Sequence, residues 1–222
     1  WQDNLDNLYT LVHELGHSLH SYYTRKTQPF IYGDYSIFVA EVASTTNENL
    51  LTAYLLKTYK DPKVQAYIIN HYLDGVKGTV FRQTQFAEFE HWLHKADQDG
   101  QALTSESISA KYDEINRQYY GSGMTYDPEI ALEWARIPHF YYNYYVYQYA
   151  TGFSAASALA YKILTEGQAA VTRYLNFLKA GSSVTPIEAL KLAGVDMSSN
   201  QATLDALKLF KVRLDEFEAL IK

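Results

Sequence analysis

The stretch Leu11-Val12-His13-Glu14-Leu15-Gly16-His17-Ser18-Leu19-His20 decides how this chain is read. Leu5, Leu8, Leu11, Val12, Leu15 and Leu19 recur at three-to-four spacing, which predicts a helix over 4–24 with these side chains on its buried face. Asn4 or Asp6 is placed to cap its start. Positions i and i+4 of a helix share a face, so His13 and His17 can turn both imidazoles toward one metal ion, with Glu14 beside them. A helix whose histidines merely pack or face solvent is the plain alternative. A catalytic zinc needs three protein ligands and an open position, so the rest of the chain must supply a third. Gly16 costs up to about 1 kcal/mol of helix propensity relative to Ala. Close passage of another backbone or of a substrate would account for it, and so would tight helix packing.

The 222 residues suit one domain, or one large lobe of something bigger. A hydrophobic share of 47% is enough for a sizeable core and excludes a disordered chain. A net charge of −6 argues against a nucleic-acid surface. No run of 18 apolar residues suggests a membrane span. The absence of cysteine excludes disulfides, thiolate-bound zinc and a thiol nucleophile, and it permits a reducing compartment; a cytoplasmic location is the expectation. The chain begins at Trp1, almost inside a helix, so 1–222 is expected to be an excised region of a larger polypeptide.

After the first helix, Arg25 to Pro29 is a polar break. Phe30-Ile31-Tyr32-Gly33-Asp34-Tyr35 has β-type residues around a turn signal, which predicts a short strand or hairpin. Its edge could pair with an extended peptide, or it could be a plain loop. Residues 37–59 return to helix, apolar in their first half. Glu41 lies within that apolar half, and a buried carboxylate is normally protonated or paired with a cation: a metal ion, or a distant Lys or Arg. Glu48, two turns on, is placed either to accept a hydrogen bond from the far nitrogen of a ligating histidine or to face solvent.

H-E-L-G-H at 13–17, followed 28 residues after His13 by Glu41 in F-V-A-E-V-A-S-T-T-N-E, resembles the thimet-oligopeptidase family of zinc metallopeptidases, and within it the oligoendopeptidase F branch. The resemblance implies that His13, His17 and Glu41 bind one zinc ion per chain and that Glu14 is the general base.

Residues 62–95 read as a helical pair interrupted near Gly75 and Gly78. Phe81-Arg-Gln-Thr84 and Phe86-Ala-Glu-Phe-Glu90 also resemble the oligoendopeptidase F branch. His91 and His94 have metal-pair spacing, but no further motif supports more than structural or surface roles. Residues 95–104 read as a polar loop whose D-Q-D-G lacks the glutamate of a calcium loop, 105–119 as a helix, and 120–128 as a turn-rich connection.

Residues 134–160 hold a second informative region, in which six of the nine residues 141–149 are Tyr and read as a tyrosine helix. On such a helix Tyr142, Tyr145 and Tyr149 share one face, and Tyr141, Tyr144 and Gln148 the next. Most such rings are packing material. Hydroxyls concentrated beside His139 could also donate to a carbonyl oxygen that gains negative charge. The resemblance implies this role for His139, Tyr145 and Tyr149. Gly152 stands where the spacing would place a third tyrosine, a departure from the family pattern. Helix geometry alone does not choose Tyr149 over Tyr144.

The remainder reads as scaffold: two helices over 152–180 punctuated by Gly167, a short helix from Ile187 to Gly194, and a terminal helix over 203–221. The expected fold is mainly α, a helical zincin-type lobe with one small β element near the metal site, and 1–222 is the C-terminal catalytic region. The resemblance implies a zinc metalloendopeptidase that hydrolyses internal bonds of short oligopeptides by a zinc-activated water. The alternatives are a related helical zinc carboxypeptidase and a non-catalytic helical binding module. The expected partners are oligopeptides, with neither nucleic acid nor membrane. Self-association could occur through surface left by absent N-terminal helices.

Overall fold

Asn4 closes the first turn of helix α1 (Leu5–Thr27), its side-chain oxygen accepting the Asn7 N–H at 2.9 Å. In the computed structural model, which describes residues 1–222, every regular element is helical. The chain divides into two compact units. The first comprises 1–76 and 151–222, the second 77–150.

In the first unit α1 packs along α2 (Ile37–Thr58), whose first turn is capped by Ser36. α3 (Pro62–Val76) packs on α9 (Gln201–Ile221), and α7 (Gln168–Leu178) on α8 (Pro186–Leu192). α8 begins at a capping box in which Thr185 and Glu188 satisfy each other's backbone N–H groups. The core gathers Val39, Val42 and Ala43 of α2, Ala155, Ala156 and Leu159 of α6 (Tyr147–Glu166), and Phe177 and Leu190. A second cluster joins Tyr9, Leu55 and Ile68. No helix is long and apolar enough to cross a membrane.

The buried face of α1 is not the leucine stripe. Leu11, Leu15 and Leu19 are 49, 50 and 45% exposed, while Tyr9, Gly16, His20 and Thr24 are buried. The helix turns a polar and small-residue face inward: the α2 backbone leaves no room for a side chain at Gly16, and His20 and Thr24 meet Tyr35, Phe177 and Leu178. His20 stacks flat on Tyr35, ring centroids 3.7 Å apart, and Thr24 donates to the Leu178 carbonyl at 2.8 Å.

The expected strand or hairpin at Phe30–Tyr35 is absent, and with it any β element or strand edge for a peptide. Phe30–Tyr32 is a single 3₁₀ turn, closed by Tyr32 N–H to Pro29 O at 2.9 Å and Gly33 N–H to Phe30 O at 3.1 Å. A lone strand has no ladder partner, and here the nearest backbone partner is a loop: Ser182 N–H donates to Tyr32 O at 3.3 Å. Gly181 makes that approach possible, since a Cβ there would stand 2.1 Å from Tyr32 O and the residue has φ +54°.

In the second unit a π-helical segment, Lys77–Phe81, leads into α4 (Arg82–Gln98), which packs on α5 (Ser105–Tyr120). α4 thus continues four residues into the stretch 95–104 expected as a loop. The core holds Phe86, Phe89, Tyr112, Ile115, Ile137 and Val146. Burying a side chain of this size contributes about 1.5–3 kcal/mol. Buried Glu133 accepts from Tyr112 at 2.6 Å and pairs with Arg82 and Arg136, tying the 3₁₀ segment Pro128–Arg136 to α4 and α5.

The tyrosines of 141–149 do not lie on one helix as expected. A second 3₁₀ segment, Pro138–Tyr141, is followed by an irregular turn, and α6 starts only at Tyr147. Asn143 and Tyr144 have φ of +52° and +57°, left-handed values that end any helix. The Tyr144 N–H is taken at 2.6 Å by Glu90 Oε1 of α4. A tertiary hydrogen bond overrides a local preference that is weak in a run of aromatic residues.

Candidate active site

The first cluster is built by α1 and α2. The i, i+4 spacing sets His13 and His17 on one face of α1, their Nε2 atoms 3.1 Å apart. Glu41 Oε2 of α2 lies 3.3 Å from His13 Nε2 and 3.6 Å from His17 Nε2. Ligands about 2.0–2.2 Å from a tetrahedral zinc are roughly 3.3–3.6 Å apart; both Glu41 separations fall in that range, and the two histidine nitrogens stand slightly closer together than it. Two imidazoles and a carboxylate are also a donor set that zinc takes in catalytic sites. All three side chains are partly buried.

Two contacts fix this arrangement. His13 Nδ1 lies 2.6 Å from Glu48 Oε1; in the neutral ring this contact keeps the proton on Nδ1 and leaves the Nε2 lone pair toward His17 and Glu41. The Glu48 backbone carbonyl accepts from Thr52, whose hydroxyl also meets Tyr9 OH at 2.7 Å. Ser44 donates to the Glu41 carbonyl at 3.0 Å and reaches its Oε2 at 3.4 Å. The helices meet where Gly16 lies against Ser44: a Cβ on Gly16 would stand 2.5 Å from Ser44 Cα. Two of the readings open for Gly16, close passage of another backbone and tight helix packing, are here one contact. Gly152 packs against Glu41, which a Cβ there would meet at an ordinary 3.7 Å.

The electrostatics favour a cation. Hydrogen bonding to Glu41 and then to Glu48 pushes the His13 pKa up to about 10, and His13 in turn holds the Glu41 carboxyl below its usual range. In the absence of other cations, His13 takes a proton to balance the two carboxylates.

Glu14 is exposed and lines two open grooves along α1. One, of about 690 Å³, also has His17, Ser21 and Arg25 in its walls; the other, of about 390 Å³, has His13, Glu48 and His71. Glu14 therefore faces solvent-accessible space on both sides of the histidine pair.

The second cluster lies within the second unit. His139 is surrounded by Tyr142, Tyr145 and Tyr149, ring centroids 5.8, 5.7 and 6.3 Å away. The Tyr145 and Tyr149 hydroxyls are 3.5 Å apart. The rings come together through a 3₁₀ turn and a left-handed turn rather than along one helix. Tyr144 lies outside the group: its ring stacks on His94 at 4.4 Å and its hydroxyl meets His91 Nδ1 at 3.2 Å. His91 and His94 thus anchor a ring and form no metal pair. Buried Glu90 carries no sequence signal that separates it from Glu88, two residues earlier beside the same phenylalanines.

The profile of peptidase family M3 matches residues 3–209, and the chain belongs to that family. Within it, the similar proteins are of the oligoendopeptidase F kind. Oligopeptidase PepF of Bacillus subtilis is 62% identical over 221 residues, covering 100% of this chain and 33% of that protein. Group B oligopeptidase PepB of Streptococcus agalactiae is 60% identical, with 100% and 37% covered. The crystal structure of oligoendopeptidase-F from Enterococcus faecium superimposes with a TM-score of 0.88 at 59% identity, covering 98% of this chain and 39% of that one. The chain spans about a third of the length of these relatives.

Proposed function

We propose that residues 1–222 form the catalytic region of a zinc metalloendopeptidase that cleaves internal peptide bonds of short oligopeptides. The observation that carries this reading is the trio of His13 Nε2, His17 Nε2 and Glu41 Oε2, 3.1 to 3.6 Å apart, with Glu14 beside it in open space. His13, His17 and Glu41 hold the zinc, and Glu48 keeps His13 oriented. Bound zinc supplies Lewis acidity, lowering the pKa of water and polarising a carbonyl. The oligopeptidase names of the similar proteins support oligopeptides as substrates.

Glu14 is the proton carrier. Its carboxylate accepts a proton as water attacks the scissile carbonyl carbon. It returns that proton to the amide nitrogen as the carbon–nitrogen bond breaks, so a carboxylic acid and a free amine leave. The carbonyl oxygen becomes negative between these events. The N–H of His139 and the hydroxyls of Tyr145 and Tyr149 are proposed as its donors. Neutral donors fixed beforehand lower the barrier because they need no reorganisation as charge develops.

The test uses a polypeptide of the relatives' full length that contains this chain. Glu14→Gln keeps its zinc and loses about 10²–10⁴-fold in cleavage of a peptide blocked at both ends. Blocked ends exclude carboxypeptidase action. Activity surviving the substitution would remove Glu14 as the base.

A further inference from the structure

Glu90 sits near the middle of α4 and is 1% exposed. Nothing in the proposed chemistry uses it. Its Oε1 accepts the Tyr144 N–H at 2.6 Å, and its buried Oε2 has no partner. The basic group facing it is the His94 imidazole, Nε2 at 3.9 Å from Oε1. Burial raises the Glu90 carboxyl above its ordinary range, and the Tyr144 N–H works against that shift. A carboxylate in the interior is a costly way to satisfy one backbone N–H, since a neutral acceptor would serve in an ordinary turn.

This turn is not ordinary. Asn143 and Tyr144 are consecutive non-glycine residues in the left-handed region, which persists only where the surroundings enforce it. Three residues of α4 act on Tyr144 together. Glu90 holds its backbone, His94 stacks on its ring, and His91 meets its hydroxyl. The next residue is Tyr145, whose ring lies between His139 and Tyr149 at 5.7 and 5.6 Å. Val146, one further on, is buried in the core. The direction in which Tyr145 leaves the backbone is therefore set by the conformation of Tyr144.

We infer that Glu90 is a positioning residue: by anchoring the left-handed turn at Asn143–Tyr144 it aims the Tyr145 hydroxyl within the His139–Tyr145–Tyr149 group. The inference rests on the donor role proposed above, and it makes α4 a support for that role. A charge-assisted hydrogen bond is shorter and stronger than a neutral one, which explains a glutamate where a glutamine would fit.

The test is Glu90→Gln, alone and combined with Tyr145→Phe, in the zinc-loaded full-length polypeptide. Backbone hydrogen exchange over 142–146 is measured in parallel on zinc-stripped protein. Exchange of that segment should speed up at least about fivefold. Cleavage should lose about tenfold in kcat with KM within about twofold. Because Glu90 acts through Tyr145, the double variant should be no more than about twofold slower than Tyr145→Phe alone. Unchanged exchange, or losses that multiply in the double variant, would overturn the inference. If exchange speeds up while Tyr145→Phe alone leaves kcat intact, the donor role fails and the anchoring of the turn stands. Should circular dichroism show Glu90→Gln unfolded, Glu90→Asp withdraws the carboxylate by one methylene, keeps the charge, and carries the same expectations.

Discussion

Gly16 of α1 and Ser44 of α2 touch backbone to backbone, and that contact brings Glu41 to the two histidines. A methyl group on Gly16 would stand 2.5 Å from Ser44 Cα, 2.8 Å from Ser44 N and 3.0 Å from the Ala43 carbonyl oxygen. Gly16→Ala would gain up to about 1 kcal/mol of helix propensity. It would lose more by forcing two helices apart, since overpacking costs about 1–3 kcal/mol. The expected outcome is lower stability in urea unfolding together with weaker zinc binding. A more stable variant with unchanged zinc binding would show that the close contact does not set the site.

Glu48 is expected to matter for metal affinity without touching the metal. Its Oε1 holds His13 Nδ1 at 2.6 Å. Glu48→Ala frees the ring to rotate and removes the acceptor that makes Nε2 a better donor. Zinc affinity should fall about 10–100-fold, read by competition with a chromophoric chelator. Equal affinity would make Glu48 a bystander.

His20 gives a pH signature to stability. It is buried, its Nδ1 has no partner, and burial lowers its pKa to about 4 from an ordinary 6.5. The neutral ring suits the fold, while the unfolded chain takes up a proton below pH 6.5. Its contribution is therefore complete above pH 6.5 and is lost as the pH falls toward 4, by roughly 3 kcal/mol in all. His20→Phe keeps the stack on Tyr35 and removes the titration. Urea unfolding at several pH values should show the wild-type chain losing stability between pH 6.5 and 4 more steeply than the variant. Equal slopes would exclude His20 as the source.

The helix of the histidine pair was legible because i, i+4 geometry is local. So was Glu41, since its carboxylate in an apolar run needs a cation. The inward face of α1 was not legible: Leu11, Leu15 and Leu19 carry the periodic signal, yet Gly16, His20 and Thr24 are buried. Which face a helix buries depends on what approaches it, and here that is another backbone. No strand forms at Phe30–Tyr35 for a related reason, because β-type residues do not make a strand without a partner. The tyrosine run was read as one helix, but Glu90, more than fifty positions away in sequence, takes the Tyr144 N–H. His139, Tyr145 and Tyr149 were chosen through family resemblance, and their grouping emerged from a backbone that periodicity does not describe.

The donor role makes a kinetic prediction. His139→Gln and Tyr145→Phe should each lower kcat by about 10²–10³-fold, equivalent to about 2.7–4 kcal/mol, in the full-length polypeptide. KM should change little, because the donors act on charge that develops during the reaction. A rise in KM at constant kcat would instead assign these residues to substrate binding.

Zinc content tests the central claim most directly. The purified chain, reconstituted with zinc and freed of excess, is measured by atomic emission beside a His13→Ala variant. The expected result is one zinc per chain, and loss of most of it in the variant. Less than about half an equivalent in the unaltered chain, or full occupancy in His13→Ala, would contradict a zinc site at His13, His17 and Glu41.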